Sequence, residues 1–102
     1  MKILAVIPAR AGSKGIPNKN IRIINAKPLI YYSIKNALQS KYITDVIVTT
    51  DSEIVRVIAE QMGVKTLNRH IDLCGDAVTL DAVIEDAIPK NETWDYIITM
   101  QP

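Results

Sequence analysis

The chain reads as an α/β protein, a three-layer α/β/α sandwich around a mostly parallel sheet. Short, continuous apolar runs alternate along it with segments whose apolar residues recur at helical spacing. Runs without internal alternation suit strands covered on both faces, and parallel neighbours need helical crossovers. The first run also empties into a loop with two glycines, two prolines and spaced cations, the kind of strand end where such sheets bind ligands.

Ile3 to Ile7 is the first buried strand. After a loop and a short apolar link at Ile21 to Ile24, Pro28 sits where a first helical turn tolerates proline. Leu29, Ile30, Ser33, Ile34, Ala37 and Leu38 then mark one face of a helix. Asp45 to Thr50 is a second strand. Thr50-Asp51-Ser52-Glu53 has the form of a capping box, opening a helix with Ile54, Val55, Ile58, Ala59 and Met62 on its inner face and Gly63 as its stop. Val64 to Leu67 is a short third strand. Leu80, Val83, Ile84, Ala87 and Ile88 mark a helix stopped at Pro89, and Tyr96 to Met100 is the last strand, with Trp94 packing near its start. In such a sheet the Arg10 loop, Asp51 and Gln101-Pro102 all follow strands and gather on one edge.

The loop itself, Ala9-Arg10-Ala11-Gly12-Ser13-Lys14-Gly15-Ile16-Pro17-Asn18-Lys19-Asn20, has the chemistry of a polyphosphate cradle. Gly12 and Gly15 let a ligand approach the main chain and turn amide N–H groups toward an anion. Arg10 can grip two phosphate oxygens, while Lys14 and Lys19 add point charges. Pro17 stiffens the loop's second half, and Pro8 ends the ladder of the strand before it. A solvated basic turn has the same composition, so the loop needs company to carry weight.

Charge supplies some. Residues 1–44 hold eight Lys/Arg and no Asp/Glu, and residues 45–102 hold four against eleven, so +8 faces −7 inside a total of +1. That split suggests an anionic ligand on the N-terminal half. Nucleic acid is not the expected one, because only Tyr31, Tyr32 and Tyr42 interleave aromatic surface with that charge. Cys74 is the single cysteine, so no internal disulfide forms, and with one His there is no Cys/His metal cluster; a reducing cytoplasm is the expected compartment. The five apolar residues before Pro8 are too few for a secretory signal, and no segment is long enough to span a membrane. The length, 102 residues, and 48% hydrophobic content bound the chain to one domain or part of one.

From Ile7-Pro8-Ala9-Arg10 through Asn18-Lys19-Asn20, the loop resembles the signature of the N-acylneuraminate cytidylyltransferases, including relatives that activate pseudaminic or legionaminic acid. The resemblance continues through Lys27-Pro28-Leu29-Ile30, Thr49-Thr50-Asp51, Arg69, Gly75-Asp76 with Thr79, and Gln101-Pro102. Cytidylyltransferases for 3-deoxy-manno-octulosonate (KDO) share the Ile-Pro-Ala-Arg opening but usually follow it with a Ser/Thr-Arg-Leu-Pro-Gly-Lys type of loop. Ser13-Lys14-Gly15 and Asn18-Lys19-Asn20 therefore favour the sialate branch. His70 departs from the family, which commonly has Pro after the Arg69 position.

What the resemblance implies is a Rossmann-like, glycosyltransferase-A-like nucleotidyltransferase fold that transfers CMP from CTP to the anomeric hydroxyl of a nine-carbon 2-keto sugar acid and releases pyrophosphate. Arg10 and Lys14 take the catalytic roles. Arg10, Gly12, Ser13, Lys14 and Lys19 surround the triphosphate, and Asn20, Arg69 and Thr79 recognise cytosine and ribose. Asn20 offers a donor and an acceptor and Arg69 a donor. Gln101 contacts the sugar acid. Mg²⁺ is implied as cofactor, with its best-known aspartates in a later segment; Asp51 receives no metal role, and full-length relatives are implied to be homodimers. Each position also has a plainer reading. Asn20 can hold a turn, Arg69 and His70 can lie in a surface loop, Asp76 can organise the loop before the helix, Thr79 can be its N-cap, and Cys74 can be a small apolar filler.

Because no helix follows Gln101-Pro102 to cover that side of the sheet, residues 1–102 are expected to be the N-terminal, nucleotide-binding part of one cytidylyltransferase domain, inactive by itself. A non-catalytic CTP- or CDP-binding fragment and a KDO-type enzyme are the alternatives. A dinucleotide-dependent oxidoreductase fits poorly, since the loop has no G-x-G-x-x-G.

Overall fold

The computed structural model describes residues 1–9, 23–24, 27–68, 80–90 and 92–100. Four parallel strands form its centre in the order β5-β4-β1-β6: β1 (Ile3–Pro8), β4 (Asp45–Thr50), β5 (Lys65–Asn68) and β6 (Tyr96–Thr99). The helices are α1 (Leu29–Gln39), α2 (Glu53–Gln61) and α3 (Leu80–Ala87).

The continuous apolar run of β1 serves two cores at once. Ala5 and Ile7 face α1 and α2 and join Ile30, Ile34, Ala37, Val48, Val55 and Ala59. Leu4 and Val6 face the other way and meet Ile47 and Ala87, with Ile84, Ile88 and Trp94 packed against them. Side chains alternate across a strand, so both faces must be covered for this run to be buried. The sheet between two helical layers is the expected three-layer sandwich.

Local details refine the expected elements. The apolar link is part of a small antiparallel ladder, β2 (Ile23–Ile24) with β3 (Lys27–Pro28), and Pro28 is the N-cap of α1 rather than a residue of its first turn. Strands of two residues are too short to show a period. The expected capping box does not form at Thr50. Thr50 remains in β4 opposite Asn68, and Ser52 caps α2 by accepting a hydrogen bond from the Val55 amide at 3.3 Å. Thr50 Oγ1 instead accepts from the Ser52 amide at 2.9 Å. Glu53 is therefore the first residue of α2, where its charge suits the helix N-terminus. Moving the start turns Ile54 outward, 56% exposed, and leaves Val55 and Ala59 buried.

Gly63 ends α2 as expected, at φ +81°. Its amide donates to the Glu60 carbonyl at 3.0 Å and that of Val64 to the Ala59 carbonyl at 3.2 Å, a left-handed C-cap that feeds β5. The N-terminal ends of β1 and β6 are clasped through Lys2. Its carbonyl accepts from the Asp95 amide at 2.8 Å, its amide donates to Asp95 Oδ2 at 2.7 Å, and its ammonium meets Glu92 at 2.6 Å and lies 4.5 Å from the centroid of the Trp94 ring. Trp94 packs at the start of the last strand as expected, although its Nε1 has no hydrogen-bond partner among the described residues.

Candidate functional site

All four strands run the same way, so their carboxyl ends share one edge. Register brings those ends level: Pro8 lies beside Thr49, Thr50 beside Asn68, and Val6 beside Thr99. Two further hydrogen bonds carry the ladder onward, from the Ala9 amide to the Thr49 carbonyl and from the Met100 amide to the Val6 carbonyl, both at 3.0 Å. Pro8 thus does not end the pairing of β1 with β4. Amides alternate direction along a strand, so the nitrogen of Pro8 faces β6, and only on that side does the missing hydrogen stop the ladder.

The residues proposed to hold the ligand, Arg10, Gly12, Ser13, Lys14, Lys19, Asn20, Arg69, Thr79 and Gln101, lie outside the described residues, as do His70, Cys74 and Asp76. What is described is the frame from which the chain enters them. Ala9, buried and bonded to Thr49, precedes Arg10; Asn68 precedes Arg69; Met100 precedes Gln101; and Leu80, the first residue of α3, follows Thr79. Three chain segments carrying those residues thus leave from three strand ends on one edge. Asp51 stands exposed on that edge immediately after β4, as expected.

Buried and bridging polar residues support this edge. Thr49 and Thr50 are fully buried polar residues at the strand end, and Thr50 holds the Ser52 amide that opens α2. Arg56, on α2, donates to Asn68 Oδ1 at 3.4 Å and approaches Glu53 at 3.6 Å, so it links α2 to the residue before Arg69. The available signal was the i,i+3 placement of Glu53 and Arg56 on a helix.

The opposite edge has different chemistry. A shallow hollow there, between Leu38, Asp45, Gly63 and Lys65, sits at the amino ends of β4 and β5, away from every strand end that leads to the loop. Glu92 also lies near the amino ends; its hydrogen bond from Lys2 holds its carboxyl below the ordinary value of 4.5. Among the described residues no three His, Cys, Asp or Glu side chains come together as a metal centre would need. The described residues therefore do not assemble a Mg²⁺ site.

The chain resembles proteins of known family. A family model described as cytidylyltransferase matches residues 4–102. The chain belongs to the cytidylyltransferase family. Members of this kind generally use a divalent metal. The chain is 43% identical over 101 residues to the N-acylneuraminate cytidylyltransferase of Escherichia coli O18:K1:H7, covering 99% of this chain and 24% of the relative. It is 39% identical over 107 residues to the CMP-N,N'-diacetyllegionaminic acid synthase of Legionella pneumophila, covering all of this chain and 46% of the relative. A solved structure of CMP:2-keto-3-deoxy-manno-octonic acid synthetase complexed with CTP superposes with a TM-score of 0.79 at 29% identity, over 99% of this chain and 40% of that one. The chain thus spans less than half the length of each of these cytidylyltransferases.

Proposed function

We propose that these residues are the CTP-binding part of a cytidylyltransferase domain that moves CMP from CTP onto the anomeric hydroxyl of a nine-carbon 2-keto sugar acid. The hydroxyl oxygen bonds to the α-phosphorus, the bond from that phosphorus to the bridging oxygen breaks, and pyrophosphate leaves. The observation that carries this reading is the family match over residues 4–102. It is supported by a parallel sheet whose carboxyl edge leads into the Arg10, Arg69 and Gln101 segments.

Nucleotidyl transfer depends mainly on positioning and on neutralising phosphate charge. In this reading Arg10 and Lys14 are the catalytic cations, balancing charge on the phosphates and the departing pyrophosphate. Gly12, Ser13 and Lys19 complete the triphosphate cradle. Asn20, Arg69 and Thr79 hold the cytidine, and Gln101 meets the sugar acid. Mg²⁺, when bound, draws charge from the phosphates, and its ligands come from residues other than those described. The working compartment is the cytoplasm, consistent with a single cysteine and with no helix among the described residues long and apolar enough to cross a membrane. The complete enzyme is a homodimer.

A KDO-type acceptor is the second reading, favoured by the superposed structure. Ser13-Lys14-Gly15 and Asn18-Lys19-Asn20 weigh against it.

Calorimetric titration of CTP into the chain, with and without Mg²⁺, tests the binding role, and saturable binding is expected. Absence of binding under both conditions overturns it. Supplying CTP, Mg²⁺ and a panel of sugar acids to the chain carried within a complete domain then separates the acceptors. Turnover with nine-carbon acids and not with KDO is expected; the reverse preference assigns the KDO reading.

A further inference from the structure

Two polar cross-links tie α2 to the edge strand β5, and they match in spacing. Arg56 Nη1 donates to Asn68 Oδ1 at 3.4 Å, and Thr66 Oγ1 donates to Glu60 Oε1 at 3.4 Å. Arg56 and Glu60 are one helical step of four residues apart, and Thr66 and Asn68 are alternate residues of a strand. Those separations are advances of about 6 Å and about 6.6 Å, so the two pairs run in step. Register places Thr66 beside Val48 and Asn68 beside Thr50. Val48 belongs to the core beneath α1 and α2, so both residues of β5 face α2.

The link at the carboxyl end has a third member. Arg56 Nη2 lies 3.6 Å from Glu53 Oε1, in the first turn of α2. The planar guanidinium is thus engaged through two of its nitrogens, which sets its orientation as a lone ammonium would not be set. The side chains of Arg56 and Glu53 are 35% and 81% exposed, and contacts so open to water add little to stability. What they fix is a position. Asn68 is the last residue of β5, a strand that pairs with β4 on one side and with no described strand on the other, and Arg69 follows it.

We propose that Arg56 is a positioning residue for the nucleotide: oriented by Glu53, its guanidinium holds Asn68 at the end of β5 and so sets where the chain enters Arg69. The inference rests on the reading of Arg69 as a contact to cytosine and ribose, and it names the group that orients that contact. Arg56 acts through Asn68 and not on the substrate. Its loss is therefore felt at the cytidine and not at the phosphates, which the Arg10 loop holds in the same reading.

Calorimetric titrations into the complete enzyme test this by comparing CTP with inorganic triphosphate, which lacks the cytidine. Arg56→Ala and Asn68→Ala should each weaken CTP binding about fivefold or more, and the double variant should lose no more than either single one, because both act through one contact. Triphosphate affinity and the thermal midpoint should stay at the parent values. A general loosening of the fold would lower the midpoint and both affinities, and a direct contact from Arg56 to phosphate would lower triphosphate affinity; either result overturns the proposal. Unchanged CTP binding by Arg56→Ala overturns it as well, as do losses in the two variants that add. In all of these outcomes the parent still binds CTP, so they sink the positioning role alone. A parent that binds no CTP removes the CTP reading itself, and the positioning role with it.

Discussion

Gly63 holds the left-handed conformation that lets α2 turn into β5, and a side-chain carbon placed there would meet nothing within 4 Å. The cost of Gly63→Ala is therefore backbone strain without a clash, about 1 kcal/mol. Chemical denaturation should show that loss, with Gly63→Asn falling between the two; an Ala variant as stable as the parent would mean that the turn is made differently. At Arg10 charge decides the outcome. A guanidinium that stabilises the phosphates in the transition state should, when removed by Arg10→Ala in the complete enzyme, lower turnover tenfold or more, about 1.4 kcal/mol. An unchanged rate would take Arg10 out of the mechanism.

Elements divide into those that burial pattern makes legible and those that it does not. The run Ile3 to Ile7 announced a strand covered twice, and each of its side chains is buried. Apolar spacing located α1 and α2 but overstated their buried faces. Leu38 is 49% and Ile54 56% exposed, because periodicity finds a helix more readily than the width of the stripe it buries. The start of α2 was misplaced for a different reason. Thr50 and Ser52 are both good caps by type, and only pairing of Thr50 with β5 decides between them. As for the site, the sheet edge was legible from the alternation of strands and helices, while the roles of Arg10, Lys14, Asn20 and Arg69 rest on resemblance, since phosphate cradles and basic turns share a composition. The clasp of β6 to β1 was not legible at all, because Lys2 and Glu92 are 90 positions apart. It carries a pH signature. Glu92 titrates below 4.5 because it accepts a hydrogen bond from Lys2, which outweighs the opposing effect of desolvation, and attraction from Lys2 and Lys65 adds to it. A carboxyl depressed in the folded state contributes stability above its unfolded value, and the contribution is lost as pH falls through the folded one. The difference in denaturation midpoint between the parent and Glu92→Gln should therefore be present at neutral pH and close below pH 4.5. A gap of constant size across that range would show that the clasp does not act through charge.

On the scale of the whole molecule, the sheet is polar in function. Its amino edge is tied by Lys2, Thr44 and Asp95, where the Thr44 amide donates to the Ile3 carbonyl at 2.9 Å and Thr44 Oγ1 accepts from the Ile3 amide at 2.9 Å. Its carboxyl edge carries Asp51 and delivers Ala9, Asn68 and Met100 to the segments proposed to hold CTP and the sugar acid. Parallel strands make such a division possible, because every crossover returns the chain to the same starting edge and leaves the other free for loops. A ligand seated on the free edge should therefore be felt at one end of every strand and not at the other. Addition of CTP to the labelled chain should shift the NMR amide signals of Ala9, Asp51, Ser52, Asn68 and Met100, while those of Lys2, Thr44 and Lys65 stay in place. Because β5, β4, β1 and β6 all contribute to the set, the pattern separates a site spanning the edge from one confined to the Arg10 loop, which would move Ala9 and its neighbours on β4 alone. Shifts concentrated at Thr44, Asp45 and Lys65 would put the nucleotide in the hollow at the amino edge. That outcome would detach the loop from the sheet end that presents it.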